Sequence, residues 1–94
     1  IIMQEMMHLK DISILDVREI DEVMTGKIPG AQNMPLSSFQ VLIPTLSRDK
    51  TYHVVCQSGS RSLMACQILT QMGYNVVNVL GGMGAYKGVL DYEM

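Results

Sequence analysis

Short apolar runs rich in β-branched residues alternate along this chain with stretches whose apolar positions recur every three or four residues. ISILDV (residues 12–17), YHVVC (52–56) and NVVNVL (75–80) read as strands buried on both faces, the last ended by Gly81 and Gly82. AQNMP (31–35) has room for a fourth, short strand, and Ile1 and Ile2 for the remnant of a fifth. Helical segments fall between them. Residues 19–24 form a short candidate stopped by Gly26. Ser37 and Ser38 can cap a segment carrying Phe39, Leu42, Ile43 and Leu46 at i, i+3, i+4 and i+7. Pro44 disfavours helical geometry in the residue before it, so this helix is expected to end near Leu42 with a separate turn after it.

The strongest helical pattern covers residues 61–72. Met64, Ala65, Ile68, Leu69 and Met72 fall on one face, and Gly73 supplies the stop. Strand–helix alternation of this kind predicts a parallel sheet with helices on both faces. Ligands of such sheets bind beyond the carboxyl ends of the strands, and Cys56 stands at one of those ends.

Composition narrows the picture. Ninety-four residues suit one small domain spanning 1–94, and 48 % apolar with 17 % charged residues suits an ordered core. A net charge of −2 without a basic stripe excludes nucleic acid as the expected partner. No apolar run is long enough to span a bilayer, and no charged-then-apolar signal region opens the chain, so no membrane role is expected. The first residue is Ile1; initiator methionine is normally removed only before small residues, so the chain is expected to be an excised piece. The two cysteines, Cys56 and Cys66, lack the close pairing of a zinc site, and no metal is expected. Two unpaired thiols fit a reducing, cytoplasmic setting. The nine methionines read as adaptable core filler.

The candidate chemistry lies in CQSGSRS, residues 56–62, where a strand gives way to a helix. A helix N-terminus leaves its first amides unpaired and carries partial positive charge. Gly59 and the small serines let the backbone curl so that several N–H groups converge, and Arg61 adds a permanent cation. A cysteine at the rim of such a cradle becomes the anion it holds. Free thiols titrate near ~8.5, and helix N-termini with cations lower that by roughly one to several units. The hydroxyls of Ser58, Ser60 and Ser62 are further donors. Against this stands a plainer account: a small buried hydrophobe, followed by an ordinary turn with a capping serine.

VVCQSGSRS resembles the active-site loop of the rhodanese, or sulfurtransferase, domain family: cysteine, four residues including glycine, then arginine and serine. Three further stretches fit in order: ILDVRE resembles the family's first signature strand, GKIPGAQNMPL its second signature, and VNVLGGMGAY its terminal strand, glycine pair and aromatic. The match runs from about Ile12 to Tyr86. It departs at Lys27, where the family often has histidine, and at Tyr86, where it often has tryptophan; neither carries a reacting atom.

The resemblance implies an α/β fold, a doubly wound five-stranded parallel sheet with helices on both faces. It implies a Cys56 thiolate that takes the outer sulfur of a small anionic donor such as thiosulfate and passes it from a persulfide to cyanide or a thiol. The donor would be held by Gln57, Ser58, Gly59, Ser60, Arg61 and Ser62. A protein persulfide is a further partner, and no cofactor is required. Arg18, after the Asp16 strand end, would lie near the same rim and attract the anionic donor; the plainer alternative is a surface arginine paired with Glu19 or Glu22. Asp16 is expected to order the rim through backbone hydrogen bonds.

Rival functions differ in checkable ways. Cysteine phosphatases and arsenate reductases use a longer cradle, with five residues between cysteine and arginine, whereas here there are four. A non-catalytic docking module of the same family commonly lacks the cysteine. A dithiol pair with Cys66 needs it within disulfide reach, but it lies roughly 13–15 Å along the helix, so it reads as packing. His8 and His53 read as structural, and Gly81, Gly82 and Gly84 as a turn passing close to the active rim.

Overall fold

A computed structural model describes residues 1–92. Four parallel strands, β1 (Ser13–Asp16), β2 (Gln32–Asn33), β3 (Thr51–Val55) and β4 (Asn75–Asn78), lie in the order β2-β1-β3-β4. The chain leaves β1 to one side for β2 and to the other for β3 and β4. The winding therefore reverses between β1 and β3, and the crevice beyond their carboxyl ends is where such sheets bind ligands.

The sheet among the described residues has four strands where five were expected. Ile2 makes one parallel bridge to Leu80 and is at once the extended N-cap of α1 (Met3–Met6). The Ile1 ammonium donates to Asn78 O at 3.1 Å, Leu80 N–H to Ile1 O at 2.7 Å and Met3 N–H to Leu80 O at 3.2 Å, so the pairing along β4 is confined to the residues before the chain coils into α1.

Side-chain alternation divides the core. On one face Val54 and Cys56 of the β3 run meet Leu15, Phe39, Ile43, Ala65 and Leu69, which brings α3 (Phe39–Leu42) and α4 (Ser60–Gln71) onto the sheet. On the other face Val55 meets Met3, Met6, Ile28, Ala31 and Val79. Each fully buried aliphatic side chain here contributes about 1.5–3 kcal/mol. Helices thus cover both faces, α1 being the one opposite α4.

Two local expectations change. Ser37 and Ser38 do not cap α3 with their side chains; a 3-10 turn (Leu36–Ser38) leads into it, and the Ser37 hydroxyl instead donates to the Glu19 carboxylate. Pro44 sits at the start of a second 3-10 turn (Ile43–Thr45), which realises the expected break after Leu42. The buried face of α4 is also rotated. It comprises Ser62, Ala65, Cys66 and Leu69, while Met64 and Met72 are exposed. No helix among the described residues is long and apolar enough to cross a membrane.

Candidate active site

Cys56 follows the last ladder residue of β3 and is completely buried, at 0 % exposure. Gly59 takes the left-handed conformation (φ +110°) that a Cβ would oppose, and its N–H returns to donate to Cys56 Sγ at 3.0 Å. α4 begins at the next residue. Because Ser62 lies on the helix face that packs into the core, its Oγ stands 3.4 Å from Sγ.

The hydroxyl of Ser62 can serve both protonation states. With a thiol, S–H donates to Ser62 Oγ, whose own proton goes to Gly59 O at 3.1 Å. With a thiolate, that proton turns to the sulfur. Gly59 O then still accepts from Leu63 N–H at 3.2 Å and Asn78 Nδ2 at 3.3 Å, so nothing is orphaned by the exchange. Burial alone pushes the Cys56 thiol up. The Ser62 hydroxyl and the amides of Ser62, Gly59 and Ser58 outweigh it, and the thiol is held below its ordinary value.

The loop is buttressed from behind. Met83 N–H donates to Cys56 O at 2.8 Å and Gly84 N–H to Gln57 O at 3.0 Å. This close pass needs Gly82: a Cβ there would come 2.2 Å from Cys56 O, at φ +53°. The expected turn at the glycines is therefore a wall of the site.

Other expected donors lie elsewhere. Arg61 is bonded to Glu22 and not to the sulfur, although its charge and that of Cys56 still act on one another. Its Nη1 and Nη2 hold Glu22 Oε1 and Oε2 at 2.6 and 2.7 Å, a two-toothed pair in which each side chain is about a third exposed. That bond from Arg61 draws the Glu22 carboxyl down to about 2 against the opposing effect of burial. Ser58 and Ser60 turn their hydroxyls towards one another, 3.4 Å apart and exposed, so Ser58 serves the sulfur through its amide alone. Gln57 lines a cavity of about 260 Å³ beside the loop, with Arg18, Met83, Tyr86, Lys87 and Leu90 among its walls.

Arg18 lies beside the loop but is already paired. It is 2 % exposed and holds Asp16 through Nε (3.0 Å to Oδ1) and Nη2 (2.8 Å to Oδ2), with Gly26 O at 2.9 Å from Nη2. Its guanidinium ties the end of β1 to the Gly26 turn, and it stands in the wall of the cavity beside the loop. The surface alternative fails, since Glu22 went to Arg61. Asp16 does order the rim, accepting from Arg18 N–H at 3.1 Å. Asn33 Nδ2 adds bonds to the carbonyls of Asp16 and Arg18, both at 2.9 Å.

The remaining candidates stay apart from the sulfur. Cys66 is a free thiol on the buried face of α4, pushed up to about 11 by burial. His53 is buried towards the opposite face with no partner on Nδ1, and burial lowers its pKa. His8 is exposed beyond α1. Lys27 Nζ donates to Ala31 O at 3.1 Å, and the Tyr86 hydroxyl to Val89 O at 2.6 Å. No three His, Cys, Asp or Glu side chains among the described residues converge as metal ligands would.

A parallel α/β sheet with a cysteine cradled by amides at its switch point defines a class of anion-holding, thiol-bearing domains. Sequence comparison makes the class specific: the profile of the rhodanese-like domain matches residues 2–88, and the chain belongs to that family. It is 39 % identical over 79 residues to the putative sulfurtransferase YtwF of Bacillus subtilis, covering 84 % of this chain and 77 % of that one. It is 37 % identical over 71 residues to the thiosulfate sulfurtransferase PspE of Escherichia coli, covering 73 % and 68 %. A crystal structure of a rhodanese-like domain protein from Staphylococcus aureus superposes with a TM-score of 0.87 at 29 % identity, over 97 % of this chain and 90 % of the other. These relatives support a sulfurtransferase of the rhodanese type.

Three residues gained importance only from the fold. Ser62 was one of three equivalent serines, although its i, i+3, i+4, i+7 spacing with Ala65, Cys66 and Leu69 marks it as core-facing. Asn78 carried no local signal, and Glu22 stood out only as a partner for Arg18, not for Arg61.

Proposed function

We propose that Cys56 carries sulfane sulfur between a small donor and a thiophilic acceptor. The observation that supports this most directly is the sulfur's seat. Sγ sits at the end of β3, 3.0 Å from the Gly59 amide and 3.4 Å from the Ser62 hydroxyl. Those donors favour a thiolate, which is the attacking form.

In the first half-reaction the thiolate attacks the outer sulfur of thiosulfate. The new bond joins the two sulfurs, the bond to the sulfonate sulfur breaks, and sulfite leaves with that electron pair. The terminal sulfur of the resulting persulfide bears the negative charge, and the amide cradle stabilises it as it stabilised the thiolate. In the second half-reaction cyanide or a thiolate attacks that terminal sulfur. Thiocyanate or a new persulfide departs and the Cys56 thiolate is restored. The protein supplies position and fixed dipoles, and both steps are displacements at sulfur.

Intact mass after incubation with thiosulfate tests the reading. The expected result is a gain of one sulfur, removed by cyanide and absent from Cys56→Ser. Hydrolysis of p-nitrophenyl phosphate by the wild type, with no sulfur taken up on Cys56, would overturn it in favour of a phosphatase.

A further inference from the structure

The loop's cation is not free. Arg61 is held by both carboxylate oxygens of Glu22, and Glu22 is itself held in place, since its Oε1 also accepts from Glu19 N–H at 3.0 Å in a capping box at the start of α2 (Ile20–Val23). The other arginine at the rim, Arg18, is neutralised by Asp16. The α2 side of the crevice therefore presents two internally cancelled ion pairs, and the same helix start adds Glu19 and Asp21. A doubly charged anion approaching the loop from the α2 side would meet a paired guanidinium and a fixed carboxylate, whereas the cavity wall beside Gln57 carries Lys87. A donor with less charge loses less by that meeting.

We propose that Glu22 is a positioning residue that sets donor preference by charge: by holding Arg61 away from the incoming donor, it handicaps dianionic sulfane donors relative to monoanionic ones. This rests on the reading of Cys56 as the sulfur carrier. The matching pair of donors is thiosulfate, a dianion, and methanethiosulfonate, a monoanion with the same outer sulfur. With the second, the Cys56 thiolate attacks that outer sulfur, the S–S bond to the sulfonyl sulfur breaks, and methanesulfinate leaves; the persulfide product is identical. Any change in the reactivity of Cys56 itself therefore cancels in the ratio of the two donors' kcat/KM values, and what remains reports donor charge.

Glu22→Gln keeps the shape and the bond to Glu19 N–H while removing the charge. One charge at the mouth of a partly exposed site alters attraction by about fivefold per unit of donor charge. Thiosulfate kcat/KM should thus rise about twenty-fivefold and methanethiosulfonate about fivefold, with the gain mainly in KM. The ratio shifts about fivefold towards thiosulfate, and about half of that shift disappears in 0.5 M salt, as the Debye length falls to a few ångströms. Glu22→Ala, which frees Arg61 fully, should shift the ratio at least as far. Asp21→Asn removes an equal charge from the exposed side of the same helix without touching Arg61, and should move the ratio less than about twofold. The proposal is overturned by an unchanged ratio in Glu22→Gln while Cys56 still takes sulfur from both donors, or by an equal shift in Asp21→Asn. Failure of the underlying reading looks different: no gain of one sulfur on wild-type Cys56 from either donor, which would remove this inference with it.

Discussion

Cys56 and Cys66 are both buried, belong to the same apolar cluster and differ by ten positions, yet their surroundings drive them in opposite directions. Burial raises both thiols. At Cys66, in the second turn of α4, the neighbouring amides are already consumed by the helix, so the thiol rises to about 11. At Cys56 the same helix has only begun, and its unspent amides and the Ser62 hydroxyl more than repay the burial. What separates a reactive cysteine from a packing one here is which turn of the helix it faces, not how deeply it lies.

The comparison breaks most sharply by exchange. Cys56→Ser should reduce sulfur transfer by at least about a thousandfold, whereas Cys66→Ser should leave it within about twofold; equal losses from both would erase the distinction. Gly82→Ala comes next. Its methyl group would collide with Cys56 O, a backbone atom that can move only with the loop. A loss of about 2–4 kcal/mol in urea unfolding is expected, with the Cys56 thiol returning towards its ordinary value as the amides lose aim.

Ser62→Ala removes one donor and leaves the amides. The Cys56 inflection in an alkylation profile should rise by about one unit, worth about 1.4 kcal/mol, and transfer at neutral pH should fall by up to about tenfold and recover in alkali. A loss that alkali did not repair would mean the hydroxyl acts on something other than the thiolate. Cys66→Ala should cost about 1 kcal/mol of stability through a small cavity, visible in the same urea experiment and without effect on persulfide formation.

The two thiols also separate by pH. The folded Cys56 value lies below the unfolded one, so its ionised form stabilises the fold above the ordinary thiol value of ~8.5, and that contribution fades as pH falls through the folded value. Cys66 has the reverse sign: its contribution is complete below ~8.5 and is lost as pH rises towards about 11. Alkylation followed by peptide mapping should show modification of Cys56 at neutral pH and of Cys66 only in alkali. Coincident profiles would contradict both shifts.

Periodicity and turn chemistry were legible in the chain itself. The three longer strands, the break at Pro44 and the thiol at a strand end all follow from short-range patterns, because buried strands, helix faces and proline sterics are decided within a few residues. The buried face of α4 departs from its apolar spacing for a related reason: methionine is apolar wherever it lies, and packing leaves Met64 and Met72 exposed while Ser62 and Cys66 turn inward.

Read alone, the order of residues settled that a cysteine meets a helix start, since both the apolar run before it and the glycine after it are local. Tertiary structure decided which charges meet there. Arg18 chose Asp16, Arg61 chose Glu22 from 39 positions away, and Asn78 reached across from β4 to Gly59. The first pairing is local, two residues apart at the end of β1, whereas the two longer reaches depend on which strand and helix ends the sheet brings side by side, where a guanidinium takes the nearest well-aimed carboxylate.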